Sequence, residues 1–263
     1  MRLLQAHPLL RGGAGLNGAP SGSPSGTGSI AERLAGIHGR IEEACRRAGR
    51  AAESVTLVGA SKTQPASALA EAFQAGLQAF GENRVQEGLA KSDELGPETT
   101  GRMEWHLIGP LQSNKVRAAL DLFHIIHSID RLAVAEAIDR EAGARGFTVS
   151  GFLEVNLGGE ETKHGFPAAG LAAAILPLSR LQHLRIAGLM AIPPPGETPE
   201  DSRPWFRRLR ELRDDLAARP EWAGFPGCLS MGMSDDYAVA VEEGATHVRV
   251  GTALFGPRRA PSP

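Results

Sequence analysis

The sequence has 263 residues, 42% of them hydrophobic, and its 28 Lys and Arg against 30 Asp and Glu give a formal net charge of −2. This balance argues against a nucleic-acid partner, because proteins that bind nucleic acids concentrate Lys and Arg. The protein is also not expected to span a membrane, because no apolar run reaches the roughly 18 residues of a membrane helix. Two cysteines are too few for a disulfide framework and form no metal-ligand spacing, so we expect a cytoplasmic protein without a metal site.

The first segment, residues 1–28, is predicted to be a disordered tail. From Arg11 to Gly28 it consists almost entirely of small and polar residues, which offer too little apolar surface to offset the entropy of ordering. A transit peptide is the weaker alternative, because glycine and proline disfavour the amphipathic helix that such peptides form. Residues 259–263 are predicted to be a second, short tail.

Order is predicted to begin with an amphipathic helix over Ser29–Arg47. Ser29 and Glu32 form the S-x-x-E pattern of a capping box, and apolar residues follow at helical spacing from Ile30 to Cys45. Strand-like and helix-like segments then alternate. Strands are predicted at Val55–Ala60, Gln78–Gly81, Glu104–Ile108, Phe123–His127, Thr148–Asn156, Leu184–Met190, Cys228–Met231 and His247–Val250. Helices are predicted at Pro65–Ala75, Val85–Leu95, Asn114–Leu120, Arg131–Arg145, Phe166–Leu176, Glu200–Ala218 and Asp235–Glu243.

This alternation predicts the fold. Strict β-then-α order indicates a parallel sheet, and eight repeats are the number that closes into a (β/α)8 TIM barrel, which needs about 250 residues. The helix Ser29–Arg47 would fill the ring position that is otherwise empty after the last strand. An open doubly wound sheet is the alternative, although no G-x-G-x-x-G motif follows an early strand.

In such a barrel the functional residues lie at the carboxyl ends of the strands. Lys62 follows the first strand there and Asn83 the second. An isolated lysine at a strand end is usually solvated. The functional alternative is an amine that forms an imine, whose pKa is lowered by partial burial and nearby positive charge.

The loops after the seventh and eighth strands are candidates for a phosphate site. The first is S-M-G-M-S and contains Ser230, Met231, Gly232 and Ser234; the second contains Gly251 and Thr252. Barrels often hold a phosphate at these two loops, where glycines let backbone N–H groups approach and hydroxyls add donors. Plain turns are the alternative for either loop alone. A lysine near a phosphate site suggests an aldehyde phosphate as the ligand.

Arg249 is predicted to point into the barrel from the eighth strand, on the same face as His247 and Gly251. It either pairs with a carboxylate inside the barrel or donates to a pyridine nitrogen. Because a guanidinium does not give up its proton, that nitrogen would stay neutral, and the ring would be a poor electron sink.

Eight blocks of the sequence, in unbroken order from about Ser29 to Arg258, closely resemble the pyridoxal 5′-phosphate homeostasis protein family, also called the YggS-like or proline synthase co-transcribed family. The blocks are V-G-A-S-K-T (Val58–Thr63), F-G-E-N-R-V-Q-E (Phe80–Glu87), W-H-L-I-G-P-L-Q-S-N-K (Trp105–Lys115), H-S-I-D (His127–Asp130), E-V-N-L-G-G-E-E-T-K-H-G (Glu154–Gly165), G-L-M-A-I (Gly188–Ile192), L-S-M-G-M-S-D-D (Leu229–Asp236) and V-R-V-G-T-A-L-F-G (Val248–Gly256).

The resemblance implies one barrel of the alanine racemase N-terminal domain type over residues 29–258, with pyridoxal 5′-phosphate bound to Lys62 as an internal aldimine. By position, Asn83 would lie near the cofactor and Arg249 would face the pyridine nitrogen. The phosphate would be held by Ser230, Met231, Gly232, Ser234, Gly251 and Thr252. The resemblance also implies a carrier that buffers the cofactor or delivers it to apo-enzymes, without turnover of its own. We expect the protein to be a monomer without a metal site.

Two other functions use the same lysine. An amino-acid racemase needs a second acid/base, which alanine racemase supplies as a tyrosine from an additional domain; here Tyr237 is the one tyrosine and no such domain is expected after Arg258. A cofactor-free aldolase acting on a sugar phosphate is the other. His106 is expected to be structural rather than a proton carrier. Lys163 in the K-x-G segment would close a lid, bind a second phosphate or, more simply, be solvated.

Overall fold

A computed structural model describes residues 28–160, 164–223 and 225–257 of the chain. The two predicted tails, apart from Gly28, lie outside the described residues, and so does Lys163. Within the described ranges, none of the helices is long and apolar enough to cross a membrane.

Eight parallel strands close into a barrel, which confirms the predicted (β/α)8 fold and excludes the open sheet. Each strand pairs with its neighbours along the chain, and the barrel closes where the first strand, Thr56–Ala60, pairs with the last, His247–Val250, with Val58 opposite Arg249. A two-residue strand, Phe166–Pro167, pairs with the fifth barrel strand outside the barrel. The barrel strands are β1 (Thr56–Ala60), β2 (Ala79–Glu82), β3 (Glu104–Leu107), β4 (Ile125–Ile129), β5 (Val149–Asn156), β6 (Leu184–Met190), β7 (Cys228–Ser230) and β8 (His247–Val250).

The helices form the outer ring. They are α1 (Ile30–Arg47), α2 (Ala66–Gln74), α3 (Val85–Thr100), α4 (Val116–Ala119), α5 (Leu132–Arg145), α6 (Leu171–Ser179), α7 (Arg203–Ala217), α8 (Tyr237–Glu242) and α9 (Thr252–Phe255). Helix α1 packs against α2, α8 and α9, so it fills the ring position between β8 and β1 as predicted. Its Ser29–Glu32 capping box is formed, and Ile30, Cys45 and the apolar residues between them on that face are buried.

Several predicted boundaries were wrong for local reasons. Helix α6 begins at Leu171 rather than Phe166, because Phe166 and Pro167 pair with β5 and a 3-10 turn follows. Helix α3 runs on to Thr100 through a kink at Gly96, whose φ of 78° only glycine adopts readily. Strand β4 ends two residues later than predicted, at Ile129.

Candidate functional site

Lys62 lies in the turn after β1, at the carboxyl end of the barrel, and its side chain is exposed. Its two neighbours in the chain are both fixed. Ser61 is fully buried, and its N–H donates to the carbonyl of Gly81 over 2.9 Å. Thr63 has a φ of 65°, and its N–H donates to Glu87 Oε1 over 2.8 Å. The turn therefore holds the Lys62 backbone in place while leaving its amine accessible.

A buried ionic cluster supports this turn from below. Lys91 Nζ lies 2.7 Å from Glu82 Oε1, 3.0 Å from Glu87 Oε1 and 2.8 Å from the Ser61 carbonyl oxygen. The Ser61 hydroxyl donates to the same Glu82 oxygen over 2.6 Å. Burial raises the pKa of Glu82, and the hydrogen bonds from Lys91 and Ser61 oppose that rise. Sequence analysis missed Lys91 and Glu82, although Glu87 and Lys91 at i,i+4 spacing were a local signal.

Asn83 directly follows β2 at the same end of the barrel and is half-buried. Its backbone is packed tightly against Gly109: a Cβ at position 109 would lie 2.3 Å from the Asn83 carbonyl oxygen. The structure thus fixes the place of Asn83, and its contact with a cofactor stays a prediction.

Arg249 points into the barrel and is buried, with 4% of its surface exposed. Its Nη1 donates to Ser230 Oγ over 2.6 Å and its Nη2 to the Ala191 carbonyl over 3.1 Å. Burial lowers the pKa of Arg249 to about 10, so the guanidinium stays charged at neutral pH. In the described part of the chain, no carboxylate lies within ion-pair distance of it. Its two acceptors are neutral oxygens, which do not compensate a buried positive charge. The guanidinium therefore lacks an anion or another strong acceptor among the described residues.

The loops after β7 and β8 are joined to each other. The Met231 N–H donates to the His247 carbonyl, and the Arg249 N–H donates to the Gly232 carbonyl over 2.9 Å. Ser234 Oγ then accepts from the N–H groups of Gly251 and Ala253, over 3.2 and 3.3 Å. The structure therefore brings the two predicted phosphate loops together.

Two members of the predicted phosphate set have other partners. Ser230 is fully buried, and its hydroxyl contacts both Arg249 and His127 Nδ1, the latter over 2.8 Å. Met231 is fully buried as well. Gly232 has a φ of 92°, and a Cβ there would lie 2.5 Å from Ala240 Cβ, so the loop approaches α8 as only glycine allows.

A cavity of about 310 Å³ opens beside these loops. Ser234 and Thr252 line it, and so do two arginines of α1, Arg33 and Arg40, that sequence analysis missed. Being seven residues apart, the arginines lie on one helix face, which is the signal that the sequence offered. Hydroxyls, a glycine-rich loop and two cations are a donor set that fits a phosphate group. The remaining lining residues are Asp235, Ala253, Gly256 and Pro257.

Tyr237 lies at the start of α8 and is buried, with 2% of its surface exposed. Burial raises the pKa of its phenol. A buried phenol that holds its proton more tightly is poorly suited to act as a second acid/base at the mouth of the barrel.

Comparisons with known proteins point in one direction. The family model described as alanine racemase, N-terminal domain, matches residues 37–259. The pyridoxal phosphate homeostasis protein of Aquifex aeolicus (strain VF5) is 46% identical over 228 residues, covering 87% of this chain and 98% of that protein. Its counterpart in Escherichia coli (strain K12) is 42% identical over 232 residues, covering 87% and 97%.

Among solved structures, the chain is similar to PipY of Synechococcus elongatus PCC7942 with PLP bound. The TM-score is 0.76 at 42% identity, with 87% of this chain and 100% of PipY covered. Alanine racemase of Clostridium difficile 630 is also similar, with a TM-score of 0.64 at 15% identity, covering 89% of this chain and 56% of that one. At that identity, the second likeness concerns the fold alone.

Proposed function

Because the chain belongs to the pyridoxal phosphate homeostasis protein family, with the alanine racemase N-terminal fold, we propose that it holds pyridoxal 5′-phosphate and acts in its homeostasis. When bound, the cofactor supplies a reactive aldehyde, a pyridine nitrogen and a phosphate group. The site offers a separate group for each of these three parts.

Lys62 is the group for the aldehyde. Its Nζ would hold the cofactor through this aldehyde as a Schiff base, with the carbonyl oxygen released as water. Two features support this role: the amine is exposed, and its turn is held on both sides by the hydrogen bonds of Ser61 and Thr63. A fixed backbone with a free amine limits the entropy lost when the Schiff base forms.

Arg249 is the group for the pyridine nitrogen, and it carries the proposal. A buried cation whose acceptors are one hydroxyl and one carbonyl has unused N–H donors, and a ring nitrogen is a matching acceptor. Since the guanidinium keeps its proton, the ring nitrogen stays neutral and withdraws few electrons. This electronic arrangement favours holding the cofactor over turning over an amino acid.

The loops after β7 and β8 bind the phosphate in this proposal. Ser234 and Thr252 line the cavity, and the Gly251 N–H donates to Ser234 Oγ. Arg33 and Arg40 also line the cavity and add positive charge. We assign Met231 and Gly232 to shaping this loop through their backbones. The hydroxyl of Ser230 serves the phosphate less well than we expected from the sequence, because it is already paired inside the barrel.

A pyridoxal phosphate-dependent racemase is the second candidate. The buried position of Tyr237 disfavours it, because proton exchange on both faces of a substrate needs a second group in the site. A cofactor-free aldolase is the third and would remain colourless.

Two assays separate the three candidate functions. Purified protein is incubated with pyridoxal 5′-phosphate, its near-visible absorption is recorded, and borohydride reduction followed by peptide mapping locates the adduct. We expect a yellow species whose adduct maps to Lys62, is lost in Lys62→Ala and persists in the control Lys115→Ala. A colourless wild type, or an adduct retained by Lys62→Ala, would refute the assignment. D-enantiomer formation from L-amino acids would favour the racemase.

We further propose that the protein works in the cytoplasm as a monomer that passes its cofactor to apo-enzymes. The test loads the protein with cofactor, adds an apo pyridoxal phosphate enzyme, and compares reactivation with an equal amount of free cofactor plus a trap for free aldehyde. Reactivation that survives the trap indicates direct transfer, whereas complete loss indicates buffering only.

A further inference from the structure

A chain of polar side chains runs along the barrel axis from Arg249 to the opposite end. Arg249 contacts Ser230, and Ser230 Oγ lies 2.8 Å from His127 Nδ1. His127 Nε2 lies 2.8 Å from His106 Nδ1. His106 Nε2 faces Glu104 Oε1 across 3.5 Å, an ion-pair distance rather than a hydrogen bond, and it has no hydrogen-bond partner among the described residues. Ser230 and both imidazoles are buried, whereas 42% of the Glu104 side chain is exposed.

The chemistry of these groups fixes the direction of every hydrogen bond. Arg249 has only donors, so the Ser230 oxygen accepts from it. The other end sets the rest of the order, because a lone pair on His106 Nε2 would face the Glu104 carboxylate across 3.5 Å; His106 therefore carries its hydrogen on Nε2 and accepts at Nδ1 from His127 Nε2. His127 Nδ1 is then an acceptor, and the single Ser230 hydrogen points to it. The chain thus donates in one direction, from Arg249 to Glu104.

The surroundings keep the His127 imidazole neutral, as this order requires. Burial first, then the neighbouring His106, His247 and Arg249, hold the pKa of His127 well below its usual range. The rings of His127 and Phe152 stack with centroids 4.5 Å apart, and the His247 ring lies edge-on to His127 at 5.8 Å. A second positive charge beside Arg249 is therefore unfavourable, and the chain carries hydrogen bonds rather than an extra proton.

We propose that His127, His106 and Glu104 are positioning residues that orient Arg249 toward the cofactor ring nitrogen. This inference rests on the proposed function, because the ring nitrogen is the ligand assigned to Arg249. With His127 as acceptor, the Ser230 hydroxyl turns its hydrogen away from the guanidinium and offers it a lone pair. Without His127, the hydroxyl is free to rotate, and the guanidinium loses its fixed partner. None of the three positioning residues needs to touch the cofactor.

The order of hydrogens is testable without any cofactor. In cofactor-free protein at neutral pH, two-bond proton–nitrogen NMR spectra report which nitrogen of each imidazole carries hydrogen. We expect both His127 and His106 to carry a hydrogen on Nε2 and none on Nδ1. A hydrogen on Nδ1 in either ring, or a doubly protonated ring, overturns the chain. Because this measurement needs no ligand, it stands even if the protein binds no pyridoxal phosphate, which would refute only the proposed function.

The positioning role is tested with two replacements of one ring. His127→Phe keeps the ring that stacks on Phe152 and removes both hydrogen bonds, whereas His127→Gln keeps one acceptor and one donor. We expect His127→Phe to weaken cofactor affinity about tenfold, the size of a hydrogen bond or two, and to change the absorption spectrum of the bound cofactor. His127→Gln should stay within about threefold of wild type, and so should the control His183→Phe, outside the barrel. Equal affinity and spectra for His127→Phe and wild type would overturn the proposal.

A milder variant covers the case in which His127→Phe does not fold. Glu104→Ala removes the carboxylate that faces His106 Nε2 at a partly exposed position, so the fold is expected to survive. His106 should then lose its single tautomer and give a mixture, and the Arg249 side-chain signals should broaden. An unchanged His106 tautomer in Glu104→Ala would show that the carboxylate does not order the chain.

Discussion

Lys91 Nζ lies 2.7 Å from Glu82 Oε1, and both side chains are buried beneath the turn that carries Lys62. Removing one partner of a buried pair leaves the other charge without compensation, which costs about 3–5 kcal/mol. We therefore expect Lys91→Met to lower the free energy of unfolding by this amount in urea denaturation. The Ser61 carbonyl also loses its donor, so cofactor affinity should fall as well.

The double variant Lys91→Met with Glu82→Leu is the control for this prediction. It removes both charges together, so most of the lost stability should return while the cofactor affinity stays low. If the double variant is no more stable than Lys91→Met, the pair is not the source of the loss.

Gly232 and Gly36 should respond in opposite ways to the same substitution. At Gly232 an alanine must adopt a φ of 92° with its Cβ 2.5 Å from Ala240 Cβ, so we expect Gly232→Ala to destabilise the protein by at least about 2 kcal/mol. Gly36 lies inside α1, and a Cβ there meets no atom within 4 Å. Gly36→Ala should therefore stabilise by about 1 kcal/mol. Thermal denaturation of both variants checks the two signs, and loss of stability in Gly36→Ala would contradict this account of the helix.

Local sequence patterns were sufficient to predict the fold. The period-2 and period-3.6 runs predicted the eight strands and the ring of helices, and the capping box at Ser29 predicted where α1 begins. Boundaries failed where a tertiary contact decided them, as at Phe166, whose pairing with β5 displaces the start of a helix.

The site was harder to predict than the fold. Residues at strand ends, such as Lys62 and Arg249, could be placed because the barrel topology alone brings them to one end. The residues that hold Lys62 and Arg249 in place could not be predicted. Lys91 donates to a carbonyl 30 residues away, and Ser230 contacts a histidine 103 residues away. No local periodicity encodes such pairs, because their geometry depends on how the whole barrel closes.

The buried histidines should make stability depend on pH. The pKa of His247 is lowered to about 3, mainly by burial, and that of His127 is also lowered, whereas in the unfolded chain both titrate near 6.5. Between pH 6.5 and about 3 the unfolded state thus binds more protons, so stability falls as pH falls. Each histidine contributes about 1.4 kcal/mol per pH unit well below 6.5.

Urea denaturation at several pH values measures this slope directly. His247→Gln should flatten it by about 1.4 kcal/mol per pH unit, whatever the variant costs in absolute stability. A wild-type slope retained by His247→Gln would show that His247 does not remain neutral in the folded protein.

Arg40 should contribute to affinity through the phosphate of the ligand. It lines the cavity beside Ser234 and Thr252, and its side chain is exposed, so its effect is modest and screened by salt. We expect Arg40→Gln to weaken pyridoxal 5′-phosphate binding about threefold at low salt and less at high salt. Pyridoxal, which lacks the phosphate, should bind both proteins equally. Arg46→Gln, on the same helix but outside the cavity, is the matched control. If Arg40→Gln weakened the binding of pyridoxal equally, Arg40 would not act through the phosphate.

Arg249 should lower the stability of the cofactor-free protein and raise stability only when the cofactor is bound. A buried guanidinium without a carboxylate partner is an uncompensated charge, held by two hydrogen bonds to neutral oxygens. In the absence of cofactor we expect Arg249→Met, which fills similar volume without charge, to raise the free energy of unfolding by about 1 kcal/mol. Cofactor should raise the Tm of wild type by more than it raises that of the variant. If Arg249→Met instead loses several kcal/mol without cofactor, the guanidinium is a structural group of the barrel, and its assignment to the ring nitrogen loses its physical basis.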